Sequence, residues 1–178
     1  FSLFNYATKE TEGYVDFDYF KIEDKISDCR WADVCYADDE LEGHKLDIYL
    51  PDTGKSSHKV VVLIYGSAWF ANNMKQNAFQ VFGRSLLDKG FAVVSINHRS
   101  SRDAKFPAQI NDVKAAIRFI RANAAKYKLD TSFIGITGFS SGGHLASLAG
   151  TTNGVKSYTI GDKTVDLEGN VGEYFSFS

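Results

Sequence analysis

The stretch Ser132-Phe-Ile-Gly-Ile-Thr-Gly-Phe-Ser-Ser-Gly-Gly-His-Leu-Ala146 decides the fold. Ser132–Thr137 reads as a strand of the buried type, and the small residues Ser141–Gly150 read as a helix. Between them Gly138-Phe139-Ser140-Ser141-Gly142 fits G-x-S-x-G. A strand ending just before this pattern and a helix starting just after it predict a sharp elbow that presents Ser140. Gly138 and Gly142 stand where side chains would collide in so tight a turn. Gly143 gives clearance where the helix starts beside the sheet. The turn sets the Ser140 hydroxyl at a helix N-terminus, where developing negative charge is favoured.

Outward from the elbow, strands and helices alternate. Lys59-Val-Val-Val-Leu-Ile-Tyr65 and Phe91-Ala-Val-Val-Ser-Ile96 are continuous apolar runs, the habit of strands buried on both faces of a parallel sheet. Between them Asn77–Asp88 carries Phe79, Phe82, Leu86 and Leu87 at helical spacing, and Gly90 stands where a helix stops. Pro107 opens another helix. Its Ile110, Val113, Ile117 and Ile120 share one face, and Lys114, Arg118 and Arg121 are expected to turn elsewhere. His44–Leu50 alternates with period two and reads as a half-buried strand ending at Pro51. The pattern predicts an α/β domain: a mostly parallel sheet with helices on both faces. Tyr65-Gly66-Ser67-Ala68-Trp69 forms a strand–helix loop of small residues, the kind from which backbone N–H donors approach a substrate oxygen.

One domain is expected over 1–178. Residues 1–40 read as an N-terminal arm or strands, with Tyr14–Phe20 a strand or an ordered arm at best. Residues 153–178 read as a hairpin, Ser157–Ile160 against Lys163–Leu167, or as an irregular tail. Cys29 and Cys35 lack any zinc pattern. On one straight strand they would stand roughly 20 Å apart, so a disulfide would need a chain reversal between them; both states stay open.

Composition narrows the function. Lys and Arg number 20 against 22 Asp and Glu, a net charge of −2, so no basic excess exists to bind nucleic acid. The longest apolar run, Val60–Tyr65, is far short of a bilayer span. Aromatic residues at 14% suit a sizeable core with carbohydrate-facing surface to spare. The four histidines are scattered and no metal-ligand spacing occurs, so no metal or other cofactor is expected.

Five blocks occur in order: Lys45-Leu-Asp-Ile-Tyr-Leu-Pro51, the Tyr65–Trp69 loop, Ser95-Ile-Asn-His-Arg99, Asp112–Asn123 and Gly138–Ala146. Together, over about residues 44 to 152, the chain resembles the α/β-hydrolase esterases. It is most similar to the bacterial feruloyl-esterase and acetyl-xylan-esterase-like group, whose members are often labelled lipases or carboxylesterases. That group usually has His-Gly-Gly-Gly/Ala-Trp where this chain has Tyr65-Gly66-Ser67-Ala68-Trp69. The resemblance implies a serine carboxylic-ester hydrolase working through an acyl-enzyme on a small-molecule or glycan ester, with feruloyl or acetyl esters of the plant cell wall expected. It implies Ser140 as nucleophile, the Ser141 amide as one oxyanion donor and the amides of Ser67 and Ala68 as candidates for the other. Gly138, Gly142, Gly143 and His144 support the elbow, and Arg99 pairs with Asp112 in a structural block. A secreted or periplasmic location is expected with it.

The triad is incomplete. The fold orders it Ser, acid, His, yet only 38 residues follow Ser140, and His144 is the one histidine among them. His44 and His58 are expected at solvated strand edges, and His98 in a structural block. The chain thus reads as the N-terminal part of the domain, with its C-terminal strands missing. The sheet would break at Ser132–Thr137, leaving an open edge. The remaining C-terminal half, in the same or another chain, is the expected partner and the source of the Asp and His. The alternative is a non-catalytic module of the same fold that binds a ligand or partner.

Overall fold

A computed structural model describes residues 29–155 and, as backbone, residues 173–177. The strands are β1 (Cys29–Cys35), β2 (Lys45–Tyr49), β3 (His58–Ile64), β4 (Ala92–Ile96), β5 (Leu129–Phe139) and β6 (Glu173–Phe177). They form one sheet in the order β1-β2-β4-β3-β5-β6. The β1–β2 and β2–β4 pairs are antiparallel; β4, β3, β5 and β6 run parallel. The expected α/β architecture is present.

The alternation of side chains along each strand splits the core in two. Val60, Val62 and Ile64 of β3, Val94 and Ile96 of β4 and Ile134 and Ile136 of β5 face one side. There they meet Ile110, Val113, Ile117 and Ile120 of α3 (Ala108–Ala122) and Leu145, Ala146 and Ala149 of α4 (Ser141–Thr151). On the other face Val61, Leu63, Tyr65 and Val93 meet Ala78 and Leu87. Those two come from one helical run: α1 (Lys75–Ala78), a π-helical turn (Phe79–Gly83) and α2 (Arg84–Asp88). The π turn interrupts the single helix expected over Asn77–Asp88. Gly83 lies directly under the Phe79 ring, which leaves no room for a side chain. That ring stacks on Tyr49 at 3.7 Å.

Three expectations need correction. The first concerns the end of the chain: β6 pairs with β5 from Gly135↔Glu173 to Phe139↔Phe177. The sheet therefore does not break at β5, and 173–177 is not an irregular tail. Five residues among glycine and serine carry too little pattern to announce a strand, and only the β5 edge organises them. Second, His44 closes a short 3-10 turn (Glu42–His44) ahead of β2, and both His44 and His58 are buried. Third, Lys114 and Arg118 are buried too. Lys114 Nζ donates to the Ala149 and Thr152 carbonyls at 3.1 and 3.0 Å, so it caps α4 instead of meeting water. Of the two states left open for Cys29 and Cys35, the structure shows free thiols, one at each end of β1. The expected Tyr14–Phe20 strand and the Ser157–Leu167 hairpin lie outside the described residues. No helix among the described residues is long and apolar enough to cross a membrane.

Candidate active site

Because β3, β4 and β5 are parallel, the loops that follow them gather at one end of the sheet. That is where open α/β sheets place their ligands. β5 runs straight through Gly138 and Phe139 and delivers Ser140 at its tip. Ser140 has φ 54° and ψ −122°, and α4 begins at the next residue. A non-glycine residue persists in such a conformation only where its surroundings over-determine it. Here they do. A methyl group on Gly138 would come within 2.5 Å of the Gly142 carbonyl oxygen, and one on Gly142 within 2.5 Å of the Tyr65 carbonyl oxygen. Backbone on both sides closes the turn.

Ser140 is exposed, whereas Ser141 is buried at the first turn of α4. No described residue donates to or accepts from the Ser140 hydroxyl. The loop after β3 lies against the elbow: a methyl group on Gly66 would meet the Phe139 carbonyl at 2.5 Å and Ser140 Cβ at 2.9 Å. Within that loop Ala68 and Trp69 both take left-handed conformations, φ 49° and 61°. The Ser67 N–H donates to Ser141 Oγ at 2.9 Å, so the loop and the elbow helix are joined directly. From the β4 side, the Ser101 N–H donates to the Trp69 carbonyl at 2.7 Å.

Tyr65 shows what replaces the histidine usual in the similar group. Its ring stacks on His98 at 4.8 Å, and its hydroxyl donates to the Ala71 carbonyl at 3.0 Å. Burial pushes the Tyr65 pKa well up, so the hydroxyl stays a donor. Tyr65 thus ties both ends of its own loop.

Of the four histidines only His144 lies next to the elbow, its backbone N–H donating to the Ser140 carbonyl at 3.0 Å. His144 is exposed on α4, its ring edge-on to Trp69 at 5.3 Å. His98 is buried, which pulls its pKa down, and its Nδ1 donates to the Arg99 carbonyl at 2.9 Å. His44 links Asp39 to Asp112, at 2.8 Å through Nδ1 and 3.2 Å through Nε2. His58 lies at the start of β3, at the far end of the strand from the elbow. The geometry therefore gathers Ser140, Ser141, Ser67, Ala68, Gly138, Gly142, Gly143 and His144, and leaves His44, His58 and His98 as parts of the scaffold.

Features that sequence reasoning missed also line this end. Phe139, next to Ser140, and Trp69 and Phe70, on the loop after β3, are exposed aromatics, and Arg102 lies over the Phe70 ring at 5.5 Å. The signal was the position of Phe139 inside G-x-S-x-G and of Trp69 at the end of the loop. Their exposure depends on how the loops fold.

Comparison with known proteins agrees with this geometry. The model of the BD-FAE family matches residues 46–178. Esterase LipQ of Mycobacterium tuberculosis is 42% identical over 90 residues, covering 51% of this chain and 21% of its own length. Probable carboxylic ester hydrolase LipM of the same organism is 37% identical over 123 residues, covering 68% and 28%. A solved bifunctional GH43-CE of Bacteroides eggerthii is 90% identical with a TM-score of 0.72, covering 86% of this chain and 22% of its own. A truncated carbohydrate esterase from gut microbiota is 55% identical with a TM-score of 0.78, covering 79% and 53%. The chain thus spans under a third of these curated relatives and about half of the truncated esterase. With the strand order, the elbow and the family match in agreement, the chain belongs to the BD-FAE family of α/β-hydrolase esterases.

Proposed function

We propose that the chain is the nucleophile-bearing part of a serine carboxylic-ester hydrolase acting on carbohydrate esters of the plant cell wall, feruloyl or acetyl. The observation that carries it is the backbone of Ser140, φ 54° and ψ −122° between β5 and α4. That backbone holds an exposed hydroxyl at a helix N-terminus. The Ser140 oxygen attacks the ester carbonyl, and the oxyanion is met by the Ser141 amide and by the loop after β3. The alcohol leaves, and water releases the acyl group from Ser140. The base and its acid come from outside the described residues, since none of these reaches the Ser140 hydroxyl. Similarity to the carbohydrate esterase and to the GH43-CE protein supports a glycan ester as substrate. The exposed rings of Trp69, Phe70 and Phe139 suit a sugar or an aryl group. A wall polymer is met outside the cytoplasm, so a secreted or periplasmic location goes with this reading.

A fluorophosphonate probe followed by peptide mapping tests it in the full-length protein. The label is expected on Ser140, and Ser140→Ala should slow hydrolysis of methyl ferulate or p-nitrophenyl acetate about 10⁴- to 10⁶-fold. Label on Ser67 or Ser141 instead would overturn the assignment.

A further inference from the structure

Ser141 places two different groups at the site, its backbone N–H and its hydroxyl. The hydroxyl oxygen accepts from the Ser67 N–H at 2.9 Å, and the side chain is buried. In the same loop the Ser67 carbonyl accepts from the Phe70 N–H at 2.9 Å, and Ser67 Oγ accepts from the Ala71 N–H at 3.3 Å. Both backbone groups of Ser67 are therefore engaged inside the protein, and its amide is not free for a substrate oxygen. The next residue differs. Ala68 is exposed at φ 49°, and among the described residues its N–H has no partner.

From this we infer that Ser141 is a positioning residue: its hydroxyl pins the Ser67 amide and so presents the Ala68 N–H as the second oxyanion donor, beside the Ser141 N–H. The inference rests on Ser140 being the nucleophile. Its physical basis is the loop's conformation. Ala68 and Trp69 are consecutive non-glycine residues in the left-handed region, which a chain leaves readily unless held on both sides. Ser141 holds the Ser67 side, and the Ser101 N–H, on the Trp69 carbonyl, holds the other. Oxyanion donors help only if they stand in place before charge develops.

Ser141→Ala removes the acceptor and leaves the Ser141 N–H untouched. The readout is turnover of an oxygen ester and of its thionoester by the full-length protein, with the thermal midpoint measured alongside. Sulfur is a poor hydrogen-bond acceptor, so a well-formed oxyanion site prefers the oxygen ester and a loosened one discriminates less. The expected result is a fall in kcat on the oxygen ester of about 10- to 100-fold, up to what loss of one oxyanion donor costs. KM stays within about twofold, and the preference for oxygen over sulfur shrinks. An unchanged preference would overturn the inference, whether both rates stay the same or fall in proportion. Hydrolysis that survives Ser140→Ala would overturn this inference together with the reading beneath it.

Discussion

Arg99 grips the Asp112 carboxylate with Nη2 at 2.6 Å and Nε at 3.0 Å, and its backbone N–H donates to the same group at 2.8 Å. The loop after β4 is thereby fastened to α3 just behind the candidate site. Asp112 is 3% exposed and Arg99 29% as side chains, so the pair is the partly buried one expected from the sequence. Removing one partner of a buried pair leaves the other charge uncompensated. Asp112→Ala should lower unfolding free energy by about 3 kcal/mol, read from urea denaturation. An unchanged midpoint would show that the pair contributes nothing.

His44 gives that carboxylate a pH dependence. Burial lowers the imidazole pKa, but the hydrogen bonds to Asp112 and Asp39 outweigh it and hold the value above 6.5. The Asp112 carboxyl is lowered from 3.8: its desolvation is outweighed by the bonds from His44 and Arg99. A raised histidine stabilises fully below its unfolded pKa and stops doing so as pH rises through its folded one. A lowered carboxylate stabilises above its unfolded pKa and fails as pH falls through its folded one. Between pH 6 and 9 the thermal midpoint should therefore decline more steeply in the parent than in His44→Gln. Parallel profiles would show that folding leaves the imidazole pKa unshifted.

The elbow glycines should not tolerate a methyl group. At Gly138 the new carbon would meet the Gly142 and Ile64 carbonyl oxygens at 2.5 and 2.8 Å, and backbone oxygens cannot move aside as a flexible side chain would. Gly138→Ala should cost about 3 kcal/mol or more, the upper end for overpacking. Gly54 is the contrast: at φ +70°, a methyl group there would have nothing within 4 Å. Gly54→Ala should cost only the left-handed backbone strain, about 1–2 kcal/mol. Equal losses at the two positions, measured by chemical denaturation, would contradict the steric account.

Strain at Ser140 predicts a gain in stability when it is relieved. Glycine adopts φ 54°, ψ −122° without a Cβ penalty. Ser140→Gly should raise the unfolding free energy by about 1 kcal/mol, the low end of the strain stored at such positions, while abolishing ester hydrolysis. Calorimetry of the two proteins checks this. A destabilised Gly variant would mean that the turn is held by the serine side chain and not imposed on it.

What the sequence determined by itself was local. The apolar runs around Val60–Tyr65 and Phe91–Ile96, the spacing of Ile110, Val113, Ile117 and Ile120, and the Gly138–Gly142 pattern each act through neighbours a few residues away. From these the parallel sheet, the helices on both faces and the elbow were legible. Arg99 and Asp112 were legible because both fell in recognisable blocks. Only the tertiary structure decided the rest. His44 is polar in sequence yet buried, because Asp39 and Asp112 close on it from a loop and a helix. Lys114 sits on the polar side of α3 until α4 sets its carbonyl end there. Strand β6 exists only against the β5 edge, and Ser141 meets Ser67 across 74 positions. Contacts of that kind form when distant segments are folded onto one another, so no pattern within any one segment announces them.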